Sequence, residues 1–257
     1  MHRFFLSPEA CHQELVELGD DDSRHAARVL RVNPGDSIEI LDGVGAVLHC
    51  VVSNVAKSAV SARVLRRQRI PASIASITLL QALVKTKAWD AILQKATELG
   101  TNRIVPLAAA RSVCVLSPAD AAGKLSGWRT TMIEAAKQCG TPWLPTIETP
   151  VTPGQWLQNN SHVTRPDMLL LCSLEPAAGH LGTVFSEFLR QHDHPPQTIA
   201  IAIGPEGDFS PEELQAFKSA NSIPITLGRH VLRADTAAIA AIAVVQHELT
   251  RARVSGP

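Results

Sequence analysis

The spacing of apolar and polar positions changes near residue 70. Before it, Arg3–Leu6, Ser37–Asp42, Ala46–Val55 and Ala59–Leu65 are short runs of β-branched and other apolar residues. Turn signals at Asn33-Pro34-Gly35-Asp36, Asp42-Gly43 and Ser53-Asn54 separate them, which predicts strands. A short helix fits Asp22–Leu30, with Asp20–Asp22 at its positive end. Short strands at this spacing predict a small β-barrel. The run Arg66-Arg67-Gln68-Arg69-Ile70-Pro71-Ala72-Ser73, together with Arg63, reads as a solvated linker region.

From residue 74 helices alternate with strands. Ile74–Val84 is strand-like, and Trp89, Ile92, Leu93, Ala96 and Leu99 then form one helix face, stopped by Gly100. Arg103–Leu107 reads as a strand, and Leu125, Trp128, Met132, Ala135 and Cys139 mark a helix. Strands at Met168–Leu174, Thr198–Ile203 and Ile223–Leu227 alternate with helices at Leu181–Gln191, Pro211–Asn221 and Asp235–Arg253. These strands are apolar on both faces, which predicts a parallel sheet covered on both sides. The expected architecture is α/β, with residues 1–70 as a β-barrel and residues 74–257 as a parallel-sheet domain.

Composition narrows the class. Lys plus Arg and Asp plus Glu are 24 each, so bulk positive charge does not hold this chain on nucleic acid; a local basic patch stays open. With no Tyr, six Phe and four Trp, a surface of stacked aromatics is not expected. Cys11, Cys50, Cys114, Cys139 and Cys172 are scattered and lack any C-x-x-C pair, which suits a reducing cytoplasm and neither a disulfide framework nor a thiolate zinc site. His192 and His194 read as a surface loop, and no metal is expected. Met1-His2-Arg3-Phe4-Phe5 turns polar too soon for an export signal. The longest apolar run, Ala237 to Val245, has nine residues where a membrane span needs ~20.

Ligands of open α/β sheets bind beyond the carboxyl ends of strands. Three such ends stand out: Leu171-Cys172-Ser173-Leu174-Glu175-Pro176, Ile203-Gly204-Pro205-Glu206-Gly207-Asp208-Phe209-Ser210, and Leu227-Gly228-Arg229-His230-Val231-Leu232-Arg233-Ala234-Asp235-Thr236. In the second, Gly204 and Gly207 permit a tight turn, and Ser210-Pro211-Glu212-Glu213 is a capped helix start. A strand-to-helix turn needs no more than that. Glu206 and Asp208 are wrong for a phosphate cradle and suit hydroxyls, an amine or positive charge, so a nucleoside-like cofactor without phosphate fits better than a dinucleotide. The helix after Asp235-Thr236 is apolar nearly all round and must be buried on more than one face. A central core helix and a helix between two subunits, with Ile242 in the contact, are equal readings.

The pattern I-G-P-E-G-D-F-S-x-E-E followed by L-G-R-H-V-L-R-A-D-T-A closely resembles the RsmE-type 16S rRNA uridine N3-methyltransferases of the SPOUT superfamily. So do Gln94–Gly100, Arg111-Ser112-Val113, Glu134–Gly140, Arg3-Phe4-Phe5, His25–Arg31 and Pro34-Gly35-Asp36, which run in family order over nearly the whole chain. The sequence departs at Asp208, often Gly in the family, at Asp235, often Glu, and at Thr141, often Arg.

The resemblance implies an N-terminal PUA-like barrel that holds RNA and a C-terminal SPOUT methyltransferase domain that binds S-adenosylmethionine. It also implies a homodimer with each active site at the interface, acting on 16S rRNA or the small ribosomal subunit. A trefoil knot is implied by the resemblance alone. Leu174, Glu175, Ile203, Gly204, Pro205, Glu206, Gly207, Leu227, Gly228, Leu232, Arg233 and Thr236 would surround the cofactor. Arg233 is the candidate for stabilising charge on the target base, against a salt bridge with Asp235 or Glu206, and Glu206 or Asp235 the candidate base. Arg24, Arg28 and Arg31, at i, i+4 and i+7, would grip phosphates with Arg3, against the reading of a solvated helix face. Lys95 and Arg111 would reach the active-site rim. The rival readings are a SPOUT methyltransferase acting on another RNA or at a ribose, and a non-catalytic RNA-binding assembly factor.

Overall fold

A computed structural model describes residues 1–56, 59–114, 116, 118–160, 165–175 and 177–254. The chain divides into two compact units: residues 1–72 with 133–144, and residues 73–132 with 145–257.

The first unit holds β1 (His2–Phe5), β2 (Leu15–Glu17), α1 (Asp20–His25), β3 (Ser37–Leu41), β4 (Ala46–Val55) and β5 (Val60–Arg69). Among the described residues these strands form one mixed sheet in the order β1-β3-β4-β5-β2. β1 runs parallel to β3 and the other pairs are antiparallel. The expected small barrel is, in its hydrogen bonding, a mixed sheet with β1 and β2 at its ends. Alternate residues Ile38, Ile40, Leu48, Cys50, Val52, Val60 and Ala62 enter one core with Phe4 and Val16.

The linker reading of Arg66–Arg69 is corrected, because these residues continue β5 beside β4. Their side chains are not idle either. Arg67 donates to the carbonyls of Cys11, His12 and Gln13, and the Arg69 guanidinium lies 5.6 Å from the centre of the Trp143 ring. The predicted Asp22–Leu30 helix is α1 followed by a π-helical turn over Ala26–Leu30, which ends with Arg31 in the left-handed region at φ 53°. A π-turn has more residues per turn than an α-helix. Arg24, Arg28 and Arg31 are all exposed, but they do not form one α-helical stripe.

Residues 133–144 join this unit rather than the parallel-sheet unit, a grouping the division at residue 74 did not anticipate. Lys137 Nζ donates to Asp22 at 2.8 Å and to Glu134 at 2.7 Å. Burial opposes its charge, but these carboxylates outweigh burial and hold its pKa above the usual lysine value. Trp143 explains Gly45: a Cβ there would come 2.4 Å from the indole ring.

The second unit runs β6 (Ser76–Ala82), α2 (Thr86–Glu98), β7 (Arg103–Leu107), α3 (Pro118–Cys139), β8 (Thr146–Ile147), α4 (Pro153–Asn159), β9 (Met168–Cys172), β10 (Gly179–His180), α5 (Leu181–His192), β11 (Thr198–Ile203), α6 (Pro211–Ser219), β12 (Ile223–Thr226) and α7 (Ala234–Val254), with α3 from Ile133 onward belonging to the first unit. Its described strands form a sheet in the order β10-β12-β9-β11-β6-β7-β8, parallel in every pair. One face, through Leu80, Ala82, Val105, Leu107, Leu169, Leu171, Ala200 and Ala202, packs with Trp156 of α4 and Phe217 of α6. The opposite residues, Ile77, Leu79, Ile104, Leu170, Ile199 and Ile201, are buried on the other face. Both faces are covered, as apolar strands require. Among the described residues no helix is long and apolar enough to cross a membrane.

Helix α7 corrects one expectation. Ala238, Ala241, Ile242 and Val245 are fully buried within a single chain, the i, i+3, i+4, i+7 face of a core helix. Ile242 therefore cannot mark a subunit contact. The side left partly open carries Ala237, Ala240 and Val244, the last 37% exposed.

Candidate active site

Strands β12, β9 and β11 are neighbours in the sheet and point the same way, so their carboxyl ends meet at one edge. A cavity of about 310 Å³ opens there. Cys172, Ser173 and Leu174 line it from the end of β9, and Ile203–Glu206 with Asp208 from the end of β11. Ile225–Gly228 line it from β12, and His230–Ala234 with Ala237 from the entry to α7. This is the crevice where open α/β sheets bind ligands.

The loop after β11 is tightly built. Asp208 N–H donates to the Pro205 carbonyl at 3.0 Å, closing a turn. The positive φ in this turn falls on Asp208, at 59°, and on neither Gly204 nor Gly207. Asp tolerates this region better than most residues, and here its Oδ1 also accepts the Phe209 N–H at 2.8 Å. Gly204 serves close approach: a Cβ would stand 3.0 Å from Asp208 Oδ1 and 3.3 Å from the Phe209 nitrogen. Ser210 caps α6 as expected, its hydroxyl accepting from Glu213 N–H while Glu213 accepts from Ser210 N–H. The Ser210 hydroxyl also donates to Glu212 and holds that carboxyl below its usual range.

Most of the expected cofactor residues line the cavity. Gly207, Glu175, Thr236 and Asp235 do not. Lys218 takes the Glu175 carboxylate at 2.6 Å, and Asp235 Oδ1 accepts the Thr236 N–H at 2.8 Å. Pro176 lies outside the described residues. Glu206 and Arg233 both line the cavity and are exposed, and neither forms the anticipated salt bridge with the other or with Asp235. Desolvation pushes the Cys172 thiol up to about 12, so a neutral thiol faces the cavity at ordinary pH.

Reading the sequence missed Cys172, Ser173, His230 and Val231 as lining residues, although all lie within the three strand ends singled out; Asp208, read there as suited to a ligand, does line the cavity. Ile225, Thr226 and Ala237 carried no signal, since strand interior and apolar helix explained them.

The other expected RNA contacts are partly engaged. Arg3 donates to Glu39 at 3.0 Å and to the Gln138 carbonyl at 3.1 Å. Lys95 pairs with Glu98 at 2.9 Å, and Arg24 pairs with Asp21. Arg111 Nη1 donates to the Gly207 carbonyl at 3.0 Å. Arg28 and Arg31 are exposed.

The cavity's walls are mostly aliphatic, from Leu174, Ile203, Ile225, Leu227 and Leu232, with acids at Glu206 and Asp208. That donor set fits an uncharged nucleoside carrying a cationic group better than a polyphosphate.

Comparison with known proteins agrees. Residues 71–246 match the RNA methyltransferase domain family and residues 18–65 the RNA methyltransferase PUA domain. Ribosomal RNA small subunit methyltransferase E of Synechocystis is 31% identical over 247 residues, covering 95% of this chain and 77% of that protein. The chain belongs to the ribosomal RNA small subunit methyltransferase E family. A member from Neisseria gonorrhoeae, solved bound to S-adenosylmethionine, superposes with a TM-score of 0.81 at 29% identity, covering 96% of this chain and 97% of that one. A methyltransferase of Legionella pneumophila, also with bound S-adenosylmethionine, gives 0.83 at 27% identity with the same coverage. Within this family frame, Asp208 keeps a loop conformation that glycine adopts without strain.

Proposed function

We propose that this chain methylates N3 of a uridine in 16S rRNA of the small ribosomal subunit, with S-adenosylmethionine as donor. The observation that carries the reading is the cavity at the ends of β9, β11 and β12, with acids on its rim and an arginine that forms no ion pair among the described residues. S-adenosylmethionine bound there supplies a methyl group activated by its sulfonium. The aliphatic walls hold the nucleoside, and Glu206 and Asp208 suit its hydroxyls and positive charge.

Uracil N3 carries a proton and is a poor nucleophile until that proton leaves. Glu206 is the better-placed acceptor, because it lines the cavity while Asp235 is turned to the start of its own helix. Arg233 stabilises the negative charge that grows on the flanking carbonyl oxygens. The Glu206 carboxylate would take the N3 proton, and the nitrogen so freed would accept the methyl group that the sulfonium donor gives up in becoming a neutral sulfide. N3 lies on the Watson–Crick edge, so the target base is unpaired or flipped out.

The first unit is read as the RNA grip, with Arg28 and Arg31 available for phosphate. A second copy of the chain is read as covering the open side of α7 at Ala237, Ala240 and Val244; sedimentation of Val244→Glu should show monomer where the parent is dimeric. A dimeric variant would refute that placement. The reading puts the enzyme in the cytoplasm with its ribosomal substrate. The decisive experiment is mass spectrometry of 16S rRNA nucleosides from a deletion strain and its complement. N3-methyluridine should vanish and return, and an unchanged level would sink the proposal.

A further inference from the structure

The loop from Gly204 to Ser210 is tied to a segment that is not its neighbour in the sheet. β6 lies between β11 and β7, yet the residues following β7 reach across to this loop. Arg111 Nη1 donates to the Gly207 carbonyl at 3.0 Å and to the Phe209 carbonyl at 3.4 Å. One residue earlier, Ala110 N–H donates to Glu213 Oε1 at 2.8 Å, while Glu213 Oε2 accepts from Ser210 N–H at 2.8 Å. The stem of Arg111 also lies along Gly207: a Cβ there would stand 3.6 Å from Arg111 Cβ and 3.8 Å from its Cδ.

The two carbonyls flank Asp208, the residue at φ 59°. The N–H groups of Asp208 and Phe209 are satisfied inside the turn, by Pro205 and by the Asp208 side chain. The carbonyls of Gly207 and Phe209 point outward from it and take Arg111. Phe209 is fully buried and anchors one end of the loop, whereas Glu206 and Gly207 are exposed. A guanidinium is suited to this task because it is permanently charged and its Nη1 carries two N–H groups, so one nitrogen can serve both carbonyls.

We infer that Arg111 is a positioning residue: it fixes the conformation of the loop that carries Glu206 and walls the cofactor cavity, and it is not a contact to RNA phosphate. This rests on the reading that S-adenosylmethionine occupies that cavity, and the test separates the two. In ligand-free protein, Arg111→Ala should speed hydrogen exchange at the Asp208 and Phe209 amides by about tenfold or more, because a local opening becomes easier. In the liganded enzyme the same change should raise KM for S-adenosylmethionine about tenfold and lower kcat less than about threefold, as lost ground-state positioning does. Arg111→Gln keeps an uncharged NH2 group, and Arg111→Lys keeps the charge on a single donor nitrogen without the planar guanidinium. Both should recover part of the cofactor affinity. The salt slope of RNA binding should stay at the parent value in all three.

The inference is overturned if Arg111→Ala leaves exchange and cofactor affinity unchanged. It is equally overturned if the salt slope falls by about one unit with Gln as poor as Ala, the signature of a phosphate contact. Should Arg111→Ala fail to fold, Gln and Lys carry the same comparisons. Faster exchange in a protein whose parent shows no cofactor binding would uphold the loop tie and refute the cofactor reading alone.

Discussion

The cavity has two walls of opposite construction. The loop after β11 is held by a turn, by the Asp208 side chain, by Arg111 and by the cap of α6. The segment after β12 is nearly bare. Thr226 ties Gly228, but Arg229 to Leu232 make no hydrogen bond among the described residues, and Arg229, His230, Val231 and Arg233 are exposed. The first wall is set before any ligand arrives, so it can bind cofactor without further ordering cost. The second presents exposed charge with few hydrogen bonds of its own, which suits a group proposed to meet its target when RNA is present. On the proposed reading, the first wall selects the methyl donor and the second serves the acceptor base.

The largest effect should come from the bare wall. Arg233→Ala removes the charge proposed to meet the developing anion, and loss of one such group typically costs about 100- to 1000-fold in kcat. Thermal stability should be unchanged, because Arg233 is exposed and has no ion pair among the described residues. Cofactor affinity by calorimetry should fall far less than kcat. A variant with parental kcat at saturating S-adenosylmethionine would remove Arg233 from the chemistry and leave this wall without a function.

The built wall should respond in stability and affinity. Gly204→Ala places a Cβ 3.0 Å from Asp208 Oδ1 and 3.3 Å from backbone, so either the loop or the strand end must shift. Overpacking of this kind costs about 1–3 kcal/mol. Gly207→Ala meets only Arg111 atoms at 3.6 Å and beyond, an ordinary contact, and the glycine has no positive φ. It should stay within about 0.5 kcal/mol of the parent, as surface changes usually do. Denaturant midpoints and calorimetry on the pair decide this. Equal damage from both would show that the loop is held in some other way than the one described.

These two walls also show what the sequence could and could not reveal. Strands β4, β7 and β11 have the bounds that their apolar runs indicated, because burial on one or both faces leaves a direct mark on residue type. The capped start of α6 was equally plain in Ser210-Pro211-Glu212-Glu213. The Arg111 tie was not, since a bond between residues 111 and 207 has no local pattern; arginine at a rim looks the same whether it meets phosphate or a carbonyl. Ile242 misled for a related reason: an all-apolar helix does not say which stripe faces its own chain. The arginines of β5 misled because exposed charge reads as linker, and the strand's hydrogen bonds leave no trace in side-chain type. Short elements such as β8 and β10, two residues each, fall below any period. α4 did carry a signal, Thr152-Pro153 followed by Gln155, a capping box with Pro at its first turn.

The smallest effect at ordinary pH, and a growing one in alkali, concerns Cys172 at the end of β9. Its thiol lines the cavity and is pushed up from about 9 to about 12 by desolvation. Below about pH 9 the thiol is protonated in both folded and unfolded chains and contributes nothing to the pH dependence. Between about pH 9 and 12 the unfolded chain releases this proton while the folded one keeps it, so the unfolded state binds fewer protons and stability falls as pH rises. Cys11 and Cys50, raised to about 11 by burial, add to the same loss in the first unit. Cys172→Ala should therefore lose less stability than the parent when melting temperatures at pH 7.5 and pH 10 are compared. Native Cys172 should also react slowly with a thiol reagent beside the exposed Cys139. Identical pH slopes in parent and variant, with Cys172 modified as fast as Cys139, would mean that the cavity end of β9 is open to water, and that the fixed wall begins only at Gly204.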